Sequence, residues 1–318
     1  MNVVLIIPTG IGCAIGGHSG DANPVAKLIG SVCDTLILHP NVVNASDINE
    51  MPSNALYVEG SILDRFLDGS VGLKRVKSNR ILLVSNDNHP DTFNMMNAAK
   101  VTLGADIRHL ILNKPLEMVA TKTKDGLATG VVKGIDDLLE WISIYHFDAL
   151  AVHTPISLDP DIAESYLCNG GVNPWGGVEA IASKMIAKEI NKPVAHAPFG
   201  DTLPNFNQVV NPRIAPEMVS VTYLFSVLKG LHKAPRISHE LGCISNTDID
   251  CMISPYAIFG PPHKACLKNN IPIIYVRENK TCLTKEMPED FISVDNYLEA
   301  AGLISCMNIG ITSQSVRI

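Results

Sequence analysis

The chain has no apolar run of the ~18 residues that a membrane-spanning helix requires. It has no basic cluster and no interleaving of aromatic with basic side chains; its formal net charge is −7 and 5% of its residues are aromatic. A nucleic-acid surface needs clustered cations and stacking rings, so that class of partner is not expected. No CxxC pair occurs among the 8 cysteines, which leaves most of them as small buried hydrophobes. A GxSxG elbow, a GxxxxGK(S/T) loop and an HExxH helix are all missing. Their absence counts against an α/β-hydrolase serine enzyme, a P-loop ATPase and a zincin-type metal site. No basic segment precedes the apolar start, and glycines interrupt it, so a secretion signal is not expected. Gly10-Ile11-Gly12-Cys13 has the outline of a lipoprotein cleavage site but lacks the large aliphatic residue usual three places before the Cys. The expected location is the cytoplasm.

What the chain does have is concentrated first in Val3 to Lys27. The uncharged run Val3–Ile7 has the length of a buried strand. It breaks at Pro8, passes Gly10, Gly12, Gly16, Gly17 and Gly20 with His18 and Asp21 among them, and re-forms as a helix. Asn23 is the expected N-cap and Pro24 the first helical residue, where a missing N–H costs nothing. A strand leading through glycines into a helix start can cradle an anion with its backbone N–H groups. The plainer alternative is a tight turn that needs glycine only for its dihedrals. It is not a dinucleotide fingerprint. The third glycine of Gly10-x-Gly12 falls at 16, where Ile15 should have been glycine, and the next strand ends in His39 instead of an acid. NAD and ATP are therefore disfavoured as cofactors. Cys13 lies where a thiolate could be stabilised, although a packed, inert thiol is the expectation.

Further along, Asp34–His39, Ala55–Val58, Arg80–Val84 and His109–Leu112 read as strands separated by helices, Phe93–Leu103 among them. Repeated β-loop-α units predict a mostly parallel sheet covered by helices. Thr121–Thr129 alternates around Asp125-Gly126, a two-residue hairpin signal. A helix over Ile135–Tyr145 and a strand over Ala149–Val152 follow. Asn169–Glu179 repeats the earlier plan, with Gly170-Gly171 and Gly176-Gly177 flanking Asn173-Pro174. A strand ending in His196 leads into a long irregular loop, residues 197–213, of a length that usually has a functional role, and then a helix over 216–231. The last unit is a βαβ over Asp250–Val276. The expected fold is α/β: mostly parallel sheets with helices on both faces, in two tightly packed lobes with a β-hairpin excursion. The expected boundaries are 1–116, 117–134 for the hairpin connection, and 135–318.

Several polar residues follow closely on apolar strands: His39, Asp87 with His89, His153, His196 and Glu278. Ligands of parallel α/β sheets bind beyond the C-terminal strand ends, so these tips are expected to converge. Taken singly, each histidine is as well explained as a satisfied loop residue. Neutral imidazoles suit acid–base work near neutral pH and metal ligation. The candidates for catalysis are His39, His153 and His196, with Glu179 as a carboxylate base at a helix start. The candidates for holding a substrate are Thr9, Gly10, Gly12, Gly16, Gly17, His18, Asn173, Gly176 and Gly177. Arg213 joins them as a bidentate anchor, unless it is simply a surface arginine. A divalent metal assembled from separate strands is left open.

The runs PTGIGCAIGGHSGDANP, LHPNVVNAS, NPWGGVEA and GPPHKACLKNNIPIIYVREN resemble those of a widespread family of bacterial and plastid-lineage proteins described as a domain of unknown function. The motifs are long and specific, and the resemblance covers most of the chain. It implies a stand-alone protein and carries over no activity, cofactor or catalytic residue. From the residues, the first expectation is a cytosolic enzyme acting on a small anionic metabolite by lyase, isomerase or hydrolase chemistry. The second is a non-catalytic nucleotide or metabolite sensor or carrier, and the third a scaffold whose glycines serve only turns. Expected partners are the small metabolite and further copies of the chain, with no nucleic acid and no membrane.

Overall fold

A strand whose side chains are apolar on both faces must be covered on both faces, and Val3, Val4 and Leu5 have no exposed surface. In a computed structural model, which describes residues 1–43, 51–199, 209–215, 223–284, 287–288 and 291–318, they form the middle of the larger sheet. Its N-terminal contribution is β1 (Asn2–Leu5), β2 (Thr35–Leu38) and β3 (Ala55–Tyr57). A short antiparallel pair joins β4 (Gly72–Lys74) to β12 (Arg236–Ser238). A second sheet is built from β5 (Arg80–Ser85), β6 (Asp106–Ile111), β9 (Ala149–Thr154) and β11 (Val194–Pro198). The hairpin β7 (Glu117–Lys122) and β8 (Ala128–Lys133) takes β10 (Ile156–Ser157) as a third strand. The larger sheet is completed by β13 (Cys251–Pro255), β14 (Ile273–Val276) and β15 (Ile292–Val294).

Both principal sheets are wholly parallel, in the orders β15-β14-β13-β1-β2-β3 and β11-β9-β5-β6. The α/β fold expected from the sequence is therefore the one observed. The strands of the larger sheet come from both sides of the 117–134 hairpin, so its membership does not follow chain order.

The described helices are α1 (Asn23–Gly30), α2 (Gly60–Asp68), α3 (Pro90–Leu103), α4 (Ile135–Ile142), α5 (Pro160–Asn169), α6 (Gly176–Ile190), α7 (Tyr223–His232), α8 (Pro261–Lys268) and α9 (Tyr297–Asn308). The alternation of side chains along each strand sorts them into three apolar clusters. Val3, Leu5 and Ile7 of the larger sheet share one cluster with Ile81, Leu83, Ala149 and Ala151 of the second, and α1, α3, α7 and α9 fill the space between. Val4 and Ile6 face the opposite way, towards α2 and α8. Leu82, Leu150 and Val152 face α4, α5, α6 and the hairpin. The two sheets thus pack on a common core.

Local details differ from the sequence expectation. Helix α1 starts at Asn23 with Ala22 as its N-cap and no side-chain cap, so Asn23 is inside the first turn. Asn173 accepts a hydrogen bond from the Trp175 N–H at 3.0 Å, a turn that leads up to α6, whose N-cap is Trp175 and not Asn173. The hairpin loop closes with a Thr123 N–H to Leu127 O bond and a Gly126 N–H to Thr123 O bond, and Gly126 takes φ +79°. That is a three-residue loop with a left-handed residue at its end, not a two-residue turn. Of the long loop and the helix that follows it, residues 200–208 and 216–222 lie outside the described residues.

One ion-pair knot fixes the N-terminal side of the second sheet. Asp148 accepts from Arg80 Nε at 2.9 Å, Arg80 Nη2 at 3.0 Å, the Arg80 backbone N–H at 2.9 Å and Arg236 Nη2 at 2.9 Å. These donors hold its carboxyl down to about 2, with the Arg80 hydrogen bond as the main cause. A depressed carboxyl contributes stability above its unfolded value near 4, and that contribution is lost as the pH falls towards 2. Asp148→Asn should lower the urea midpoint at neutral pH and flatten the loss of stability across the acid range. Parallel acid limbs for variant and wild type would contradict this.

Candidate active site

The larger sheet reverses its strand order at β1: the chain continues through β2 and β3 on one side and through β13 to β15 on the other. At such a switch point the loops part, and a crevice opens beyond the C-terminal strand ends. A cavity of about 420 Å³ lies there. Thr9 enters it from the end of β1, His39 from the end of β2, and Glu59, Ser61 and Asp64 from the junction of β3 with α2. His263 comes from the start of α8. The second sheet closes the other wall with His196 of β11 and with Gly176, Glu179, Ser183 and Lys184 of α6.

The groups differ in what they can do. His196 places Nδ1 3.0 Å from Glu179 Oε1 and Nε2 3.0 Å from Thr154 Oγ1. A carboxylate only accepts, so Nδ1 carries a proton towards Glu179. Thr154 has no exposed surface, the His196 side chain is 1% exposed and that of Glu179 is 27% exposed. The hydroxyl end of this chain is sealed and the carboxylate end is open. That is the reverse of a serine-hydrolase triad, where the hydroxyl meets the substrate. Glu179 also stands in the first turn of α6, whose start has no side-chain cap, so a negative charge there is favoured.

His39 accepts from the Asn41 N–H at Nδ1, at 3.2 Å, which leaves the proton on Nε2. Burial pushes this imidazole down to about 4, so at neutral pH it is a neutral donor. Gly60 makes room for it, since a Cβ there would stand 2.9 Å from His39 Nε2. His263 is likewise pushed down to about 4 by burial. Its Nδ1 accepts from the Gly260 N–H at 3.3 Å and its Nε2 bonds Ser254 Oγ at 2.8 Å, so it is a wall, not a reagent. Asp64 is pushed up to about 6, first by burial, with Lys184 opposing and Glu59 adding to the rise.

A sequence model of a family described as "Protein of unknown function (DUF3326)" matches residues 2–317. The chain belongs to that family. Over 327 aligned positions it is 35% identical to an uncharacterized lipoprotein of Synechococcus sp., with 97% of this chain and 91% of the relative covered. No solved structure matches it.

Of the residues that the sequence of this DUF3326 member singles out, Thr9, His39, Gly176, Glu179 and His196 meet in the cavity. His153 does not join them. It pairs in register with Ala197, one place beyond His196, and successive strand residues face opposite sides of a sheet. Its Nδ1 donates to Ala197 O at 3.0 Å, its Nε2 has no partner among the described residues, and its ring meets Phe199 edge-on. His18 and Arg213 lie elsewhere: His18 Nδ1 bonds the Tyr166 hydroxyl at 2.6 Å, and Arg213 pairs with Asp21 at 2.9 Å. Arg213 is therefore spent on a protein carboxylate. Among the described residues no three His, Cys, Asp or Glu side chains come together to hold a metal ion.

The glycine loop is occupied mostly by its own protein. The Ala14 N–H donates to Lys280 O, the Ile15 N–H to Asn279 Oδ1 and the Gly16 N–H to Asp21 Oδ1. The Gly10 carbonyl accepts from the Ala128 N–H of the hairpin, and Asn41 donates to Ile7 O and Gly16 O. A Cβ on Gly12 would crowd Cys282 Sγ, on Gly16 it would meet Ile7, and on Gly17 the Cys13 carbonyl. The two glycine segments touch each other, though Gly12 does not line the cavity that Gly176 borders: a Cβ on Gly10 would stand 3.5 Å from Gly177 Cα, and one on Gly176 would strike Thr9 Oγ1. What brings glycine to these positions is the close approach of protein to protein. Cys13 is 2% exposed and burial raises its thiol well above the ordinary range, so it is a packed thiol.

Sequence reasoning does not single out Glu59, Asp64 or His263. Glu59 stands two residues beyond β3, so the strand-tip rule could have found it, whereas His263 lies eight residues beyond β13, inside α8, where that rule does not reach. Asp64 has no such signal, because only the packing of α2 beside α6 brings it to the cavity.

Proposed function

We propose that this protein is an enzyme that binds a small metabolite in the switch-point cavity and moves a proton on it with Glu179. The observation that carries this reading is the Glu179–His196–Thr154 chain, sealed at one end and open to the cavity at the other. His196 fixes the rotamer of Glu179 and stabilises its charge, so the free carboxylate oxygen faces a substrate in one orientation. The neutral His39 Nε2–H is a donor for an oxygen on which charge develops. Proton transfer without a redox cofactor is the chemistry of lyases, isomerases and hydrolases. A binding protein that merely carries or senses the metabolite is the second reading. It is favoured by the walls, where His263 is bonded to protein through both ring nitrogens.

The test is to incubate the protein with a small-molecule cell extract and compare masses before and after. Wild type should deplete one metabolite and build up its product, while Glu179→Gln should be slower by about 10²–10⁴-fold with the fold intact. Binding without any conversion by wild type would leave the carrier reading in its place.

We read the location as cytoplasmic, supported by 8 cysteines that are all free thiols. The relative's name speaks of a lipoprotein. In this chain, lipid attachment at Cys13 would require cleavage just ahead of it, and β1 would be lost with the leader.

A further inference from the structure

We propose that the metabolite bound in the cavity carries a protonated amine, seated between Glu59 and Glu179; this rests on reading the cavity as the active site. Among the described residues, three carboxylates line the cavity, those of Glu59, Asp64 and Glu179, against one lysine, Lys184, which is exposed. Glu59 is 6% exposed, yet it spends only one oxygen on the protein. Its Oε2 accepts from the Ser61 N–H at 2.9 Å, the Ile62 N–H at 3.1 Å and Ser61 Oγ at 2.5 Å. Its Oε1 accepts nothing from the described residues. Glu179 is engaged in the same way, with Oε1 on His196 and Oε2 accepting nothing from the described residues. The Asp64 carboxyl has no hydrogen bond among the described residues, and burial already raises its pKa.

These oxygens open on the cavity and are not among the sealed, unpartnered polar atoms, so a ligand that displaces solvent from them must itself offer donors. An ammonium offers three N–H donors and one charge, enough for an oxygen of each glutamate with one donor to spare. A metal ion would need its ligands gathered within bonding range of a point, and no such group of three exists among the described residues. A carboxylate or phosphate placed there would face like charge on three sides. The apolar part of the lining, which includes Ile6, Leu63, Ile258 and Phe259, would take the carbon body of the amine.

The decisive comparison uses 3-phenylpropylamine and 3-phenylpropanoate, which share a body and differ in the charge of one end. Calorimetric titration should show the amine binding at least about tenfold more tightly than the acid. Glu179→Gln should weaken the amine by a similar factor. Glu59→Gln should do so too, and because Glu59 caps α2, circular dichroism must first show that this variant is folded. Equal or tighter binding of the acid would overturn the amine and leave the cavity as the site. Binding of neither compound would also overturn it. If, besides, the extract experiment showed Glu179→Gln converting metabolites as fast as wild type, the active-site reading would fall as well.

Discussion

A chain that starts at Cys13 will not fold. Residues 1–12 contain β1, which lies between β2 and β13 in the larger sheet. Val3, Val4, Leu5, Ile6 and Ile7 are each 4% exposed or less. Burying one such side chain contributes ~1.5–3 kcal/mol, so the five together contribute about 8–15 kcal/mol. The whole net stability of a folded protein is about 5–15 kcal/mol, so little or nothing would be left. The backbone loss adds to this, because β2 and β13 each lose one of their two ladder partners and are left as facing open edges. Residues 13–318 expressed alone should be insoluble, or soluble without a cooperative thermal transition. A soluble 13–318 chain melting like the full one would show that β1 is dispensable. Cys13→Ala separates the thiol from the strand, and that variant should remain folded.

The second large effect is expected at Gly177. In a helix interior, alanine is favoured over glycine by about 1 kcal/mol, so propensity alone predicts that Gly177→Ala stabilises α6. The packing decides otherwise. A Cβ at this position would stand 2.4 Å from Ala128 C, 2.5 Å from Ala128 O and 2.6 Å from Thr129 N. These are backbone atoms of β8, held by six paired positions with β7 and by the Ala128 N–H to Gly10 O bond. They cannot yield as a side-chain tip would. Overpacking against backbone costs ~1–3 kcal/mol or more, and here it must also break the junction of hairpin, glycine loop and α6. A fall in melting temperature of about 2–5 °C is expected. The control is Gly302→Ala in α9, where a Cβ would meet nothing within 4 Å, so that change should be neutral or raise the melting temperature. Equal melting temperatures for wild type and Gly177→Ala would refute the steric account.

The strand-tip rule explains both what is legible in the sequence and what is not. Apolar runs mark β2, β5, β9 and β11 correctly, and the residues just beyond or at the ends of them include His39 and His196. Which face a tip residue takes depends on register, and a shift of one place sends a side chain to the opposite side. No local pattern separates His153 from His196 in that respect. The glycine segments raise a similar ambiguity. Glycine reports that something comes close to the backbone, and only the fold shows that at Gly10, Gly176 and Gly177 the visitor is another stretch of the same chain. Arg213 is suited to hold an anion, and it does hold one, Asp21, brought to it from the other end of the sequence. The partnership of β1 with β13 is invisible for the same reason. Helix periods and turn residues are local, whereas pairing across such a separation is decided by the whole sheet.

That pairing sets a timetable for synthesis. Asp250 lies 248 positions from Asn2, whose N–H it accepts, and the strand it introduces is the one that covers the free edge of β1. At ~5–20 residues per second, β1 emerges from the ribosome on the order of ten to fifty seconds before its second neighbour exists. Throughout that interval β1 and β2 form an apolar edge with unpaired backbone groups, and the strands of the second sheet are all made before it closes. The larger sheet is thus begun first and finished last, and a nascent chain of this protein must keep one sticky edge from pairing with anything else until its own final quarter arrives.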